Sequence, residues 1–102
     1  MFVINISYTA SADVVAVHRQ PHIEWLQTAI DSGLIAVAGS KSTRDGGVLL
    51  SLVQDREYLE VELTKDPYAA AGVAAHQVTE VSVPMVARGL EQLMSQPLKT
   101  ST

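Results

Sequence analysis

The stretch LIAVAGSKSTRDGGVLLSLV, residues 34–53, decides the fold. It holds two short apolar runs with only a polar loop between them. Leu34 to Gly39 reads as a strand buried on both faces. Ser40 to Gly47 is polar and ends in a strong turn signal at Asp45-Gly46-Gly47. Val48 to Val53 reads as a further strand, so the two runs are expected to pair as a hairpin. Gly46-Gly47 lacks the strand-to-helix setting of a phosphate-binding loop, and nothing else in the chain supports nucleotide binding.

Both flanks of this hairpin are helical in pattern. Upstream, Val14 to Ser32 has a period of 3.6. Counting about 100° per residue from His22, the residues Val15, Arg19, Leu26, Ala29 and Gly33 share its stripe. His18 and Trp25 flank that stripe, and Glu24, Gln27, Thr28 and Asp31 lie opposite. Pro21 is expected to kink this helix or to begin a second segment, and Gly33 is a C-cap. Downstream, Asp55 can cap a helix that runs to Lys65 or Asp66, with Leu59, Leu63 and Asp66 on one face. Tyr68 to Gly72 reads as a short helical or irregular connector.

Outside the helices lie two more strands. Phe2, Ile4, Ile6 and Tyr8 alternate with Val3, Asn5 and Ser7, giving one strongly apolar face. Val73 to Val83 alternates more weakly. After Pro84, the spacing of Val86, Leu90, Leu93 and Met94 predicts a short amphipathic helix. The order is βαββαβ with a C-terminal helical extension, an α+β chain of the ferredoxin-like pattern. Residues 1–96 are expected to form one domain and residues 97–102 a flexible tail.

Two helices on one sheet face leave the other face bare. Val3, Ile35, Val37, Leu49 and Val53 put apolar side chains in both registers or nearly so, and an exposed apolar sheet calls for a partner. A homodimer through the sheet faces is the expected solution.

The composition narrows the function classes. With 102 residues and 47% hydrophobic content, the chain fills one core. The absence of cysteine excludes a disulfide scaffold and a thiolate metal site. A net charge of −4 with scattered Lys and Arg argues against nucleic-acid binding. No apolar run approaches the roughly 20 residues of a membrane span, and the N-terminus has no basic n-region. The expectation is a cytoplasmic protein with no membrane partner.

His22 and Asp66 are the residues with chemistry to explain. Each falls on the apolar stripe of its own helix, where imidazole and carboxylate are costly without a partner. Paired, Asp66 would accept from one ring nitrogen of His22 and leave the other for a substrate proton. Paired only for structure, they would tie two helices together. Arg19, one turn before His22, suits a carboxylate or phenolate on a ligand, or else an ion pair with Asp13. Tyr8, Tyr68 and Ser40 are candidate substrate contacts. His18 and His22 have the i, i+4 spacing of a metal pair, but no His-Glu-x-x-His signature accompanies them. No metal and no cofactor is expected. His76 reads as a surface or interface residue.

Taken in order, these pieces resemble the YCII-related family, small proteins of the dimeric α+β barrel type. The likeness runs from about Phe2 to Pro84. It rests on Tyr8 closing the first strand, Arg19-x-x-His22 followed by Trp25-Leu26, and Gly33-Leu34. It continues through Gly39, Arg44-x-Gly46-Gly47, Asp66-Pro67-Tyr68 and Gly72. The resemblance implies a dimeric α+β barrel and an active-site pair at His22 and Asp66. Where the family typically has Gly-Pro at the end of the second strand, this chain has Gly39-Ser40. The best-defined chemistry of this fold is dehydrochlorination of a chlorinated hydroxyquinol, beside the similarly folded muconolactone isomerases. The resemblance thus implies isomerase-like or lyase-like chemistry on a small cyclic or aromatic oxygenated substrate. The competing reading is a non-catalytic dimeric module that binds a small ligand or a partner.

Overall fold

A computed structural model describes residues 1–94. The strands are β1 (Phe2–Tyr8), β2 (Val37–Ser40), β3 (Gly46–Ser51) and β4 (Ala74–Glu80). Helices α1 (Ala12–Val17) and α2 (Arg19–Asp31) lie between β1 and β2, and α3 (Arg56–Leu63) and α4 (Pro67–Ala70) between β3 and β4. The strands form one antiparallel sheet in the order β2-β3-β1-β4.

The parity of β1 sets the layers. Phe2, Ile4 and Ile6 are buried and pack with Val15 of α1, Ala29 of α2, Leu59 and Leu63 of α3 and Tyr68 of α4. The register Ile4↔Leu49 and Ile4↔Val78 continues that inward face across the sheet. The opposite face carries Val3, Leu50 and Val37 in line, with Val37 47% exposed.

The α+β class holds, but the expected barrel does not. The sheet is open, with β2 and β4 as its two edges. Four strands are too few to close a ring around side chains, which takes about eight. The helix expected after Pro84 is also absent among the described residues: residues 81–90 form no helix, and a single 3-10 turn, Glu91–Leu93, follows within the described part. A short amphipathic helix depends on a surface to pack against, and here Met85, Leu90 and Met94 are exposed. The tail expected at residues 97–102 lies outside the described residues.

Two local expectations also move. The helical pattern breaks at His18 (φ −102°, ψ 5°) rather than at Pro21. Pro21 sits in the first turn of α2, where the N–H it lacks has no intrahelical acceptor. The run Leu34–Gly39 is not one buried strand. Leu34 and Ile35 plug the core as the chain enters the sheet, and β2 begins only at Val37, exposed along its length as an edge. The inner hydroxyl of Ser51 donates to the Leu34 carbonyl at 2.6 Å and pins that entry. Gly33 ends α2 with φ +84°, and Asp55 caps α3 by accepting from the Tyr58 amide at 3.2 Å, both as the sequence leads one to expect.

Candidate functional site

Asp66 is placed by its neighbour. Pro67 starts α4, and the residue before a proline is held in extended backbone, here φ −57° and ψ 125°. Asp66 thereby becomes the N-cap of α4, and its Oδ1 accepts from the Tyr68 amide at 3.0 Å. The carboxylate has no exposure to solvent.

The same carboxylate joins two imidazoles. His22, 8% exposed on the inner face of α2, has its Nδ1 2.6 Å from Asp66 Oδ1. His76 of β4 has its Nε2 2.8 Å from Asp66 Oδ2. Burial pushes the Asp66 carboxyl up, but the hydrogen bonds from His22, His76 and the Tyr68 amide, with the charge of His22, outweigh it. The net effect holds the group at about 2. Asp66 is therefore an acceptor at every oxygen, and each imidazole donates to it. That fixes His22 with Nδ1–H toward Asp66 and leaves Nε2 as its basic nitrogen.

Rings hold His22 from the side. Tyr68 stacks on its imidazole with centroids 3.9 Å apart and planes at 10°, and Trp25 lies 6.5 Å away at 22°. Tyr8 meets Tyr68 edge-on at 5.6 Å. Burial, and then the neighbouring Tyr8 hydroxyl, push the Tyr68 phenol up, while a hydrogen bond from Arg19 and its charge pull the other way.

A cavity of about 190 Å³ opens against this cluster. Ile6 and Tyr8 of β1, His22 and Leu26 of α2, Ala38 to Ser40 of β2, and Tyr68 line it. Gly46, Gly47 and Leu49 of β3 complete the wall. The two glycines are there for space. A Cβ on Gly46 would collide with the Ile6 carbonyl, and one on Gly47 would come within 2.6 Å of the Gly39 carbonyl oxygen.

The structure thus brings His22, Asp66, Tyr8, Tyr68 and Ser40 to one place. Arg19 is exposed and does not line the cavity; its charge acts on the Tyr68 phenol from outside it. His76 is no surface residue: its side chain is 8% exposed and bonded to Asp66. The signal for it was parity. Ala74, His76 and Val78 share the inward register opposite Tyr8, Ile6 and Ile4. His18 lies at the joint between α1 and α2, and among the described residues no group of three or more His, Cys, Asp or Glu is placed to hold a metal ion. Among the described residues no helix is long and apolar enough to cross a membrane.

Comparison with known proteins agrees with the architecture. A solved structure of 5-chloro-2-hydroxyhydroquinone dehydrochlorinase from Burkholderia phenoliruptrix AC1100, in complex with 2,5-dihydroxybenzoquinone, superposes with a TM-score of 0.63. The match covers 81% of this chain and 95% of that one at 17% identity, which establishes a shared fold. No curated protein matches the chain. The family model of the YCII-related domain matches residues 1–82, most of the sequence and all of the site described above. The chain belongs to the YCII-related family.

Proposed function

We propose that the chain is a cofactor-free acid–base enzyme acting on a small cyclic or aromatic oxygenated molecule, with isomerase-like or lyase-like chemistry. One observation carries this reading: His22, locked by its Nδ1 to an ionised, buried Asp66, lines a cavity of about 190 Å³. A dry cavity of about 150 Å³ holds benzene, so this one suits a single substituted ring.

In this reading, His22 Nε2 takes a proton from a hydroxyl, or from a carbon made acidic by a neighbouring carbonyl. The electron pair left behind moves into the ring. Where chloride sits on a saturated ring carbon, as in the keto tautomer, it then departs with its bonding pair as the new C=C or C=O bond forms, giving a lyase reaction. Return of the proton to another ring position gives an isomerisation instead. Asp66 orients His22 and balances the imidazolium that forms, and the face of Tyr68 adds attraction for that cation. Tyr8, Tyr68 and Ser40 bind the oxygens of the substrate, and Arg19 adds its charge from outside the cavity. The dehydrochlorinase that shares this fold acts on a ring of this kind, which supports the substrate class.

The test is turnover of chlorinated hydroxyquinols and small lactones by the wild type, His22→Ala and Asp66→Asn. Loss of activity in both variants, with folding retained, supports the reading. The full pairing of Asp66 favours one competitor, a ligand-binding module in which the carboxylate is purely a cross-link. Ligand-induced stabilisation without turnover, and melting temperature lost instead of activity, would establish that alternative.

A second copy of the chain packs on the open sheet face in this proposal. Val3, Leu50 and Val37 on that face, and the exposed Met85, Leu90 and Met94, support it. Light scattering coupled to size exclusion should give the mass of a homodimer at micromolar concentration; a monomer mass would refute it.

A further inference from the structure

Asp66 has two oxygens, and the pairing with His22 uses only one of them. The other is taken by His76, which comes from β4, ten residues further along the chain and on an edge of the sheet. Three elements therefore meet at one carboxylate: α2 through His22, α4 through the Tyr68 amide, and β4 through His76. His76 does not line the cavity beside His22. It lines a separate one of about 290 Å³ between α3, α4 and β4, shared with Glu60, Leu63 and Val78.

We infer that His76 is a positioning residue of the site, whose Nε2–H holds Asp66 ionised and oriented so that the carboxylate can fix the tautomer of His22. A buried carboxylate bonded at one oxygen only would gain a proton more easily, since charge without a donor is costly away from water. A protonated Asp66 could donate to His22 Nδ1. That would reverse the hydrogen bond, leaving His22 with Nε2–H and no basic nitrogen toward substrate. His76 prevents this reversal without touching substrate. The arrangement also sets a limit on charge. One carboxylate balances one imidazolium, so a proton taken by His22 from substrate leaves the His22–Asp66 pair neutral. Charged or titratable groups around the trio include Glu60 across the second cavity, paired with Arg56, and Tyr8, Tyr68 and Arg19 on the side of His22.

The inference rests on His22 being the acid–base group, but its test needs no substrate. In ¹³C,¹⁵N-labelled full-length protein, NMR reads the Asp66 carboxyl titration and the ring tautomers of both histidines. In His76→Phe the Asp66 midpoint should rise from about 2 by about one to two pH units, the equivalent of one charged hydrogen bond. The Nδ1–H form of His22 should lose population in the same variant. His76→Gln, which keeps an N–H donor near the same place, should restore both. A His76→Phe protein that titrates and holds its tautomer like the wild type overturns the inference and leaves His76 a packing residue. Should His76→Phe not fold, the wild type decides: Nε2–H on His76 supports the inference and Nδ1–H overturns it. Failure to find turnover in the wild type would sink the enzymatic reading and leave these spectra unaffected.

Discussion

Acid should unfold this protein partly through a single residue, and the size of the effect follows from its site. The Asp66 carboxyl is held at about 2 in the folded chain against an ordinary 3.8. Its folded value is depressed, so the stability it contributes is complete above the unfolded value and lost as pH falls through the folded one. The difference of about 1.8 units corresponds to roughly 2.5 kcal/mol at neutral pH, at about 1.4 kcal/mol per unit. Roughly half of this is gone by pH 3, and only about 0.4 kcal/mol remains at pH 2. Asp66→Asn keeps the shape and removes the titration. Urea denaturation of wild type and variant, at pH values from 6 down to 2, gives the difference in unfolding free energy at each. That difference should be flat above about pH 5 and shrink by roughly 2 kcal/mol on the way to pH 2. A difference that stays constant through this window, or grows toward acid, refutes the claim that Asp66 is folded as an ion.

Three further changes have outcomes set by the structure. His22→Ala should slow turnover of any substrate found by about 10²–10⁴-fold, the usual worth of a positioned proton-transfer group, in a steady-state assay. Gly46→Ala forces a Cβ into the Ile6 carbonyl and should cost about 1–3 kcal/mol in chemical denaturation, as overpacking does. Ser51→Ala leaves the Leu34 carbonyl, now bonded at 2.6 Å, without its partner. It should lower stability by about 1–3 kcal/mol on the same measurement.

Much of this site was legible because it broke the pattern around it. His22 and Asp66 stood out as polar residues on apolar stripes, and the strict alternation of Phe2 to Tyr8 gave the inward face of the sheet. His76 was hidden by the opposite circumstance. β4 alternates weakly, since Ala75, Gln77 and Thr79 face outward beside an inward Ala74, so a histidine there broke nothing visible. Its role depends on β4 pairing with β1 in one register, a contact some 70 residues apart that no local pattern encodes. The break at His18 was misplaced because proline is a helix breaker only beyond the first turn, and where that turn begins is decided by packing. Leu34 and Ile35 show the same limit. An apolar run reports that residues are buried, and it does not report whether they are buried as strand or as the plug that precedes one.

The glycine wall of the cavity bears on how such a site can change over generations. Where Gly46 and Gly47 border the cavity, the wall is bare main chain, wedged against the carbonyls of Ile6 and Gly39. Drift cannot decorate it without prying strands apart. Beside it, Ala38 and Ser40 sit on the paired and exposed edge strand β2 with little to repack behind them. Variation that retunes which molecule fits is therefore cheap on the edge strand and nearly forbidden on the strand beside it. On the proposed function, a lineage would exchange substrates at Ala38 and Ser40 while His22, Asp66 and the two glycines descend unaltered.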